Sequence, residues 1–510
     1  MIISLSVLVI TIIVSGTYAL YKAQLSKNIG VNTTTHGLAY YINYVKGTDI
    51  TAATLNPSTS YEGGASSDIE FWKKDDSYDI YGKIELTVNT IGTNLSNSPA
   101  LKYAVVNNGN VLKEGSLKGT TSGSKVTILK NLYLEQTKQI YTVYLWLDNS
   151  EELGNISNES LSISVDCTAS LQKEPTAADT IISLYTSAAK VTATNNSITY
   201  NTAPSVSLMN DRLGGTTTDL DGGNIRYYGA NPNNYIYFNC SDYSNQTSST
   251  CETWRIIGVF DGKLKLIKGS QIGTYSWDNK NISTGAEDDR GKNDWTTARL
   301  MKLLNPDDYY INDNNDKDSE GNYLGYSLYY NSASGMCFTD EGVNYSACDF
   351  TSTGIKNDET RNMIAETTYN LGGWNDTGVY PNEIYEYERG TTVYTGRPTT
   401  WTGKIALAYP SDYGYAADLN QCKQTLANYD NSTCTSNNWM KAIITDNGSN
   451  HGWLLTPDSS YSYVAWYSHG NVGEYFTGAA RGAVPVLSLS SKLGIESGDG
   501  SSSNPYKLSA

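Results

Sequence analysis

The chain has 510 residues, room for about three domains at roughly 150 residues each. Its 36 Lys plus Arg against 52 Asp plus Glu leave a net charge of -16, which argues against nucleic acid, because duplex binding needs clustered cations. With 17% charged and 39% hydrophobic residues it is neither a disordered polyampholyte nor a polytopic membrane protein. The 41 Tyr against 6 Phe suit an extracellular binding surface, where a ring stacks on a ligand while its hydroxyl stays wet.

From Ile2 to Tyr21 no residue is charged and most are Ile, Leu or Val. That length crosses a bilayer as a helix, so residues 1–27 are expected to be a transmembrane anchor or a signal segment. Thr17-Tyr18-Ala19 loosely fits a small-x-small cleavage site, but the length of the run favours a retained anchor. Lys22 and Lys27 follow the run and no basic residue precedes it, which by the positive-inside rule would keep the downstream side in the cytoplasm. The cysteines further along point outward, and they carry more weight.

Residues 28–170 read as an all-β sandwich. Leu38 to Ile42, Ile84 to Val88, Leu101 to Val106, Lys125 to Leu129, Ile140 to Leu147 and Leu161 to Val165 are short alternating or β-branched runs. Turn signals such as Asn108-Gly109-Asn110 separate them. The apolar segment ending in Gly16-Thr17-Tyr18-Ala19, with the later Tyr141-Thr142-Val143-Tyr144-Leu145-Trp146-Leu147-Asp148, resembles the camelysin-like bacterial matrix proteins. That resemblance implies a secreted β-sandwich able to self-associate in biofilm fibres.

Residues 171–205 read as a connector, with a short helix starting at Thr176-Ala177-Ala178-Asp179 and ending before Asn195-Asn196-Ser197. In 206–510, Trp254 to Phe260 and Leu264 to Ile267 flank Asp261-Gly262, a strong hairpin signal. Trp295 to Leu304 is an amphipathic helix stopped by Pro306. Later runs are Trp453-Leu454-Leu455-Thr456-Pro457, Tyr463-Val464-Ala465-Trp466 and Val484 to Leu489. This series resembles bacterial surface domains related to the formylglycine-generating-enzyme and C-type-lectin-like folds. The resemblance implies an α+β C-type-lectin-like domain; it does not imply a reaction.

Six of the seven cysteines fall into close pairs, Cys240 with Cys251, Cys337 with Cys348 and Cys422 with Cys434. The near-equal spacing favours nearest-neighbour disulfides, each stabilising by about 3 kcal/mol in the chain-entropy account. Zinc prefers a tighter C-x-x-C spacing that does not occur here. Paired disulfides imply an oxidising compartment, and Cys167 is left as a buried small side chain.

Catalytic signatures are sparse. His36, His451 and His469 are the only histidines and no G-x-S-x-G accompanies them, although His451 and His469 flank a strand-rich stretch and can meet in space. Formylglycine-type chemistry needs reactive cysteines, whereas these pair with one another. Glu383, Glu386 and Glu388 read as a solvated face. Asp316-Lys317-Asp318 imitates the start of a calcium loop, but Ser327 stands where an EF-hand needs its glutamate; a looser calcium site would use Asp313, Asp316 and Asp318. Trp374-Asn375-Asp376 and Pro381-Asn382-Glu383 look like the sugar-binding triplets of C-type lectins, but in reversed order and too close together.

The aromatic stretch of Trp374, Tyr380, Tyr385, Tyr387, Tyr394 and Trp401 is the candidate ligand platform, in the loops between about 305 and 400. The expectation is a membrane-anchored protein on the extracellular face of a bacterial cell: a transmembrane helix, a β-sandwich, then a disulfide-stapled α+β C-type-lectin-like domain. Its function would be adhesion or binding of an extracellular glycan or protein, without a cofactor unless calcium binds. A structural role in a fibre or matrix, through self-association of the sandwich, is the alternative; a cell-wall or glycan-acting enzyme comes third.

Overall fold

The computed structural model describes residues 23–25 and 41–509, except 152, 154, 157, 213–222, 280–289, 313–316, 318–320, 322, 340–344 and 449–450. The chain divides into two compact units, Met1–Glu174 and Pro175–Ala510.

In the first unit the strands alternate as a two-layer sandwich requires. Ala65–Lys73 buries every second residue, and Tyr81–Ile91 does so as far as Val88. One sheet runs in the order Ala23–Leu25, Leu161–Ser170, Tyr81–Ile91, Lys125–Tyr133. The other runs Ile42–Val45, Ala65–Lys73, Ile140–Asp148, Leu101–Asn107, Asn110–Ser116. Ile84, Leu86, Ile163 and Val165 from the first sheet share one core with Ile69, Phe71, Val143 and Leu145 from the second. Asn108 and Gly109 both adopt positive φ, as a two-residue hairpin turn demands.

The transmembrane expectation is corrected here. Ala23–Leu25, the described part of segment 1–27, is a strand that pairs antiparallel with Leu161–Ser170, Leu25 opposite Cys167. Its backbone groups are satisfied by a sheet neighbour, whereas a membrane helix satisfies its own. Among the described residues no helix is long and apolar enough to cross a membrane. The rest of that segment lies outside the described residues.

The second unit is also β-rich, which corrects the α+β expectation. A nine-stranded sheet contains the hairpin of Glu252–Phe260 and Lys263–Lys268, turned by Asp261 and Gly262 at positive φ. A five-stranded sheet has the order Thr274–Ser276, Ala480–Gly482, Gly452–Pro457, Val464–Ser468, Val472–Phe476. The helices are short because the sequence breaks each one early; among the described residues Ala177–Ser187, of 11 residues, is the longest. Thr176 and Asp179 cap it reciprocally, through bonds of 2.9 and 3.1 Å.

The predicted helix at Trp295 becomes a 3-10 turn followed by Arg299–Leu304, and its polar residues are buried as well. Asn305 ends it, donating to Met301 and Ile405 carbonyls and accepting from the Lys404 and Ile405 amides. Trp254, Trp277, Trp295 and Trp453 fill the main core. Three disulfides close local loops: Cys240–Cys251, Cys337–Cys348 and Cys422–Cys434. Cys167 is free and buried, and burial pushes its thiol well up.

Candidate functional site

The aromatic stretch proposed from sequence separates into five surroundings. Trp374 and Tyr387 stack on each other at 3.7 Å, packed against a core cluster. Tyr385 receives a hydrogen bond from Asn224 and lies beside the buried Arg226 guanidinium. Trp401 is 7% exposed, packed between Tyr369 and Trp295 in the main core. Tyr380 is half-buried and begins the Pro381–Glu388 helix, where its amide donates to Glu383. Tyr394 is half-buried under the Arg397 guanidinium. These rings do not form one platform.

The glutamates divide as well. Glu386 is exposed, but Glu388 is fully buried and accepts from Ser411 and Arg389. Asp313, Asp316 and Asp318 lie outside the described residues. Among the described residues no group of three or more His, Cys, Asp or Glu is placed to hold a metal ion.

The side chains that do converge lie at the edge of the five-stranded sheet. A cleft of about 270 Å³ is lined by Arg290, Tyr461, Tyr463, Val464, Glu474, Tyr475 and Phe476. Its scaffold is a fixed loop. Asn293, buried, donates its side-chain amide to the carbonyls of Asp458, Tyr461 and Val464 at 2.8, 2.8 and 3.0 Å. Arg397 in turn donates to the Asn293 side chain and to the Ser462 carbonyl, both at 3.0 Å. Asp458 accepts from the Ser460 and Tyr461 amides at 2.5 and 2.7 Å, closing a tight turn under the tyrosines.

Two aromatic walls stand on this base. Tyr461 and Tyr463 form one, their centroids 5.9 Å apart, and the Arg290 guanidinium lies 3.6 Å over the Tyr463 ring. Tyr475 and Phe476, 4.2 Å apart, form the other. Tyr461 is 55% exposed and Tyr475 37%, which leaves ring faces for a ligand.

At the cleft Glu474 hydrogen-bonds the Asp458 carboxyl, a contact that requires one proton between them. Burial, then the Asp458 charge and that hydrogen bond, raise the Glu474 carboxyl to about 7. Burial raises Asp458 too, but its two backbone donors favour its ionised form. The pair therefore holds one shared proton below about pH 7 and loses it as the pH rises through that value. Sequence reasoning identified the Tyr463 strand but not the site. The available signals were the alternation of Tyr461 with Tyr463 and the Glu474-Tyr475-Phe476 run.

No protein-family model matches this chain, and no curated protein matches it. Among solved structures, a phenylalanine-to-alanine mutant of HCR/D is 12% identical over 51% of this chain and 76% of its own, with a TM-score of 0.15. The receptor binding domain of botulinum neurotoxin mosaic serotype C/D is 13% identical over 50% of this chain and 74% of its own, with a TM-score of 0.16. Scores of this size do not establish a shared fold.

Proposed function

We propose that this is an extracytoplasmic binding protein whose second unit holds a glycan in the cleft between Tyr461, Tyr463, Tyr475 and Phe476. The three disulfides belong to an oxidising compartment. The observation that carries the reading is the pairing of the exposed faces of Tyr461 and Tyr475 with the Glu474 carboxyl at the cleft wall. Rings stack on the C–H face of a sugar, and carboxyl oxygens accept from its hydroxyls.

Hydrolysis fits poorly. A glycosidase needs its two carboxyl groups about 5–9.5 Å apart to admit the sugar and a nucleophile. Asp458 and Glu474 instead touch through a hydrogen bond.

The test is a glycan-array screen of the oxidised full-length chain beside its Tyr461→Ala variant. The reading expects a defined set of bound glycans, weakened about tenfold or more by the substitution, in line with the loss of a stacking face worth about 1.5 kcal/mol. A blank array with folded protein, or binding untouched by Tyr461→Ala, would overturn it.

A further inference from the structure

The same sheet carries a second cluster that overlaps the cleft only at Tyr475. Arg481, on the Ala480–Gly482 strand, lays its guanidinium over Tyr467 at 4.4 Å and over Tyr475 at 4.3 Å. Its Nη1 donates to His451 Nδ1 at 2.9 Å. Arginine only donates, so this bond fixes His451 Nδ1 as acceptor and leaves Nε2 as the donor of the neutral ring. His469 stands 4.6 Å from His451, and both rings lie within about 20° of parallel to Tyr467, at 5.3 and 5.4 Å. Gly473 makes room for this shelf, because a Cβ there would meet the Tyr467 ring at 3.0 Å.

The charges are what set this cluster apart. The chain has 52 acidic residues, yet among the described residues no carboxylate pairs with Arg481. The Nε of this guanidinium is buried without a hydrogen-bond partner. Half-burying an uncompensated guanidinium is costly, and the cost is offset when an anion completes the site. Other arginines of this unit show the contrast: Arg226 is neutralised by Asp211 and Asp412, and Arg361 by Asp358, while Arg255 and Arg397, without a carboxylate among the described residues, donate Nε to an asparagine oxygen and Nη2 to a backbone carbonyl.

We infer that Arg481, His451 and His469, on the ring shelf of Tyr467 and Tyr475, form a binding site for an oxyanion: a carboxylate, sulfate or phosphate group. Arg481 supplies the fixed positive charge and planar donors that such a group needs, and the two exposed imidazoles supply further donors. The site shares only Tyr475 with the cleft, so it stands or falls independently of glycan binding there.

The experiment follows the imidazole resonances of His451 and His469 in the oxidised full-length chain, assigned through His451→Gln and His469→Gln. Sodium sulfate, sodium phosphate and sodium acetate are each titrated against sodium chloride at matched ionic strength. Glucose 6-sulfate against glucose then separates a free ion from a charge carried on a sugar. The expected result is a saturable shift of both imidazoles with at least one oxyanion and none with chloride. Arg481→Gln should weaken that binding at least tenfold, and Arg481→Lys less. His469→Gln, at an exposed position, should weaken it severalfold as read at His451. Equal shifts with chloride, or isotherms unchanged in both Arg481→Gln and His469→Gln, would overturn the inference.

Discussion

Glu474 keeps a proton that an ordinary surface glutamate loses near pH 4.5, and this gives the cleft a pH signature. Its folded carboxyl titrates near 7, above the 4.5 of the unfolded chain, so the folded state binds more protons between those values. Stability therefore falls as pH rises from about 4.5 to about 7, and the loss is complete above that. Glu474→Gln removes the ionisation, and should raise stability at pH 8 by roughly 1–2 kcal/mol, a figure reduced for solvent screening of a half-exposed group. It should leave stability at pH 4 nearly unchanged; thermal unfolding at both pH values checks this.

Asp412 behaves oppositely. Burial opposes its ionisation, but Lys265 and Arg226 outweigh burial and hold the carboxyl at about 2. Its contribution is present above about pH 4 and is lost as pH falls toward 2. Asp412→Asn leaves two buried cations without their shared partner and should cost about 3–5 kcal/mol at pH 7, measured by urea unfolding.

At the scale of elements, what was legible in the sequence was local. Asp261-Gly262 and Asn108-Gly109 turn hairpins because their own φ angles allow it. Thr176 and Asp179 cap a helix from three residues apart. The cysteines pair within 11 or 12 positions, so spacing alone selects them. The candidate site was not legible, because its contacts join distant segments: Asn293 reaches a loop 165 residues away, and Arg397 meets Asn293 across 104. Trp401 illustrates the same limit, since nothing local separates a ring packed in the core from one offered to a ligand.

Asn293→Ala frees three carbonyls of the 458–464 loop, and should lower stability by about 2–4 kcal/mol and weaken glycan binding with it. Under native conditions a thiol reagent should label no cysteine; after denaturation without reductant it should label only Cys167, read by intact mass.

At the scale of the whole molecule, each of the two units has its own core, and the three disulfides and the cleft belong to the second. Residues 175–510 expressed alone under oxidising conditions should therefore fold and bind the same glycans as the full chain; loss of cooperative unfolding in that fragment would contradict this. The proposed recognition surface is the edge of the five-stranded sheet and not the Trp374 to Trp401 stretch. Hydrogen exchange of the full-length chain, with and without the best glycan from the array, tests it most directly. Slowed exchange over 458–476 and around Arg290 to Asn293 is the predicted result. Protection confined to 374–401, or to the first unit, would contradict it.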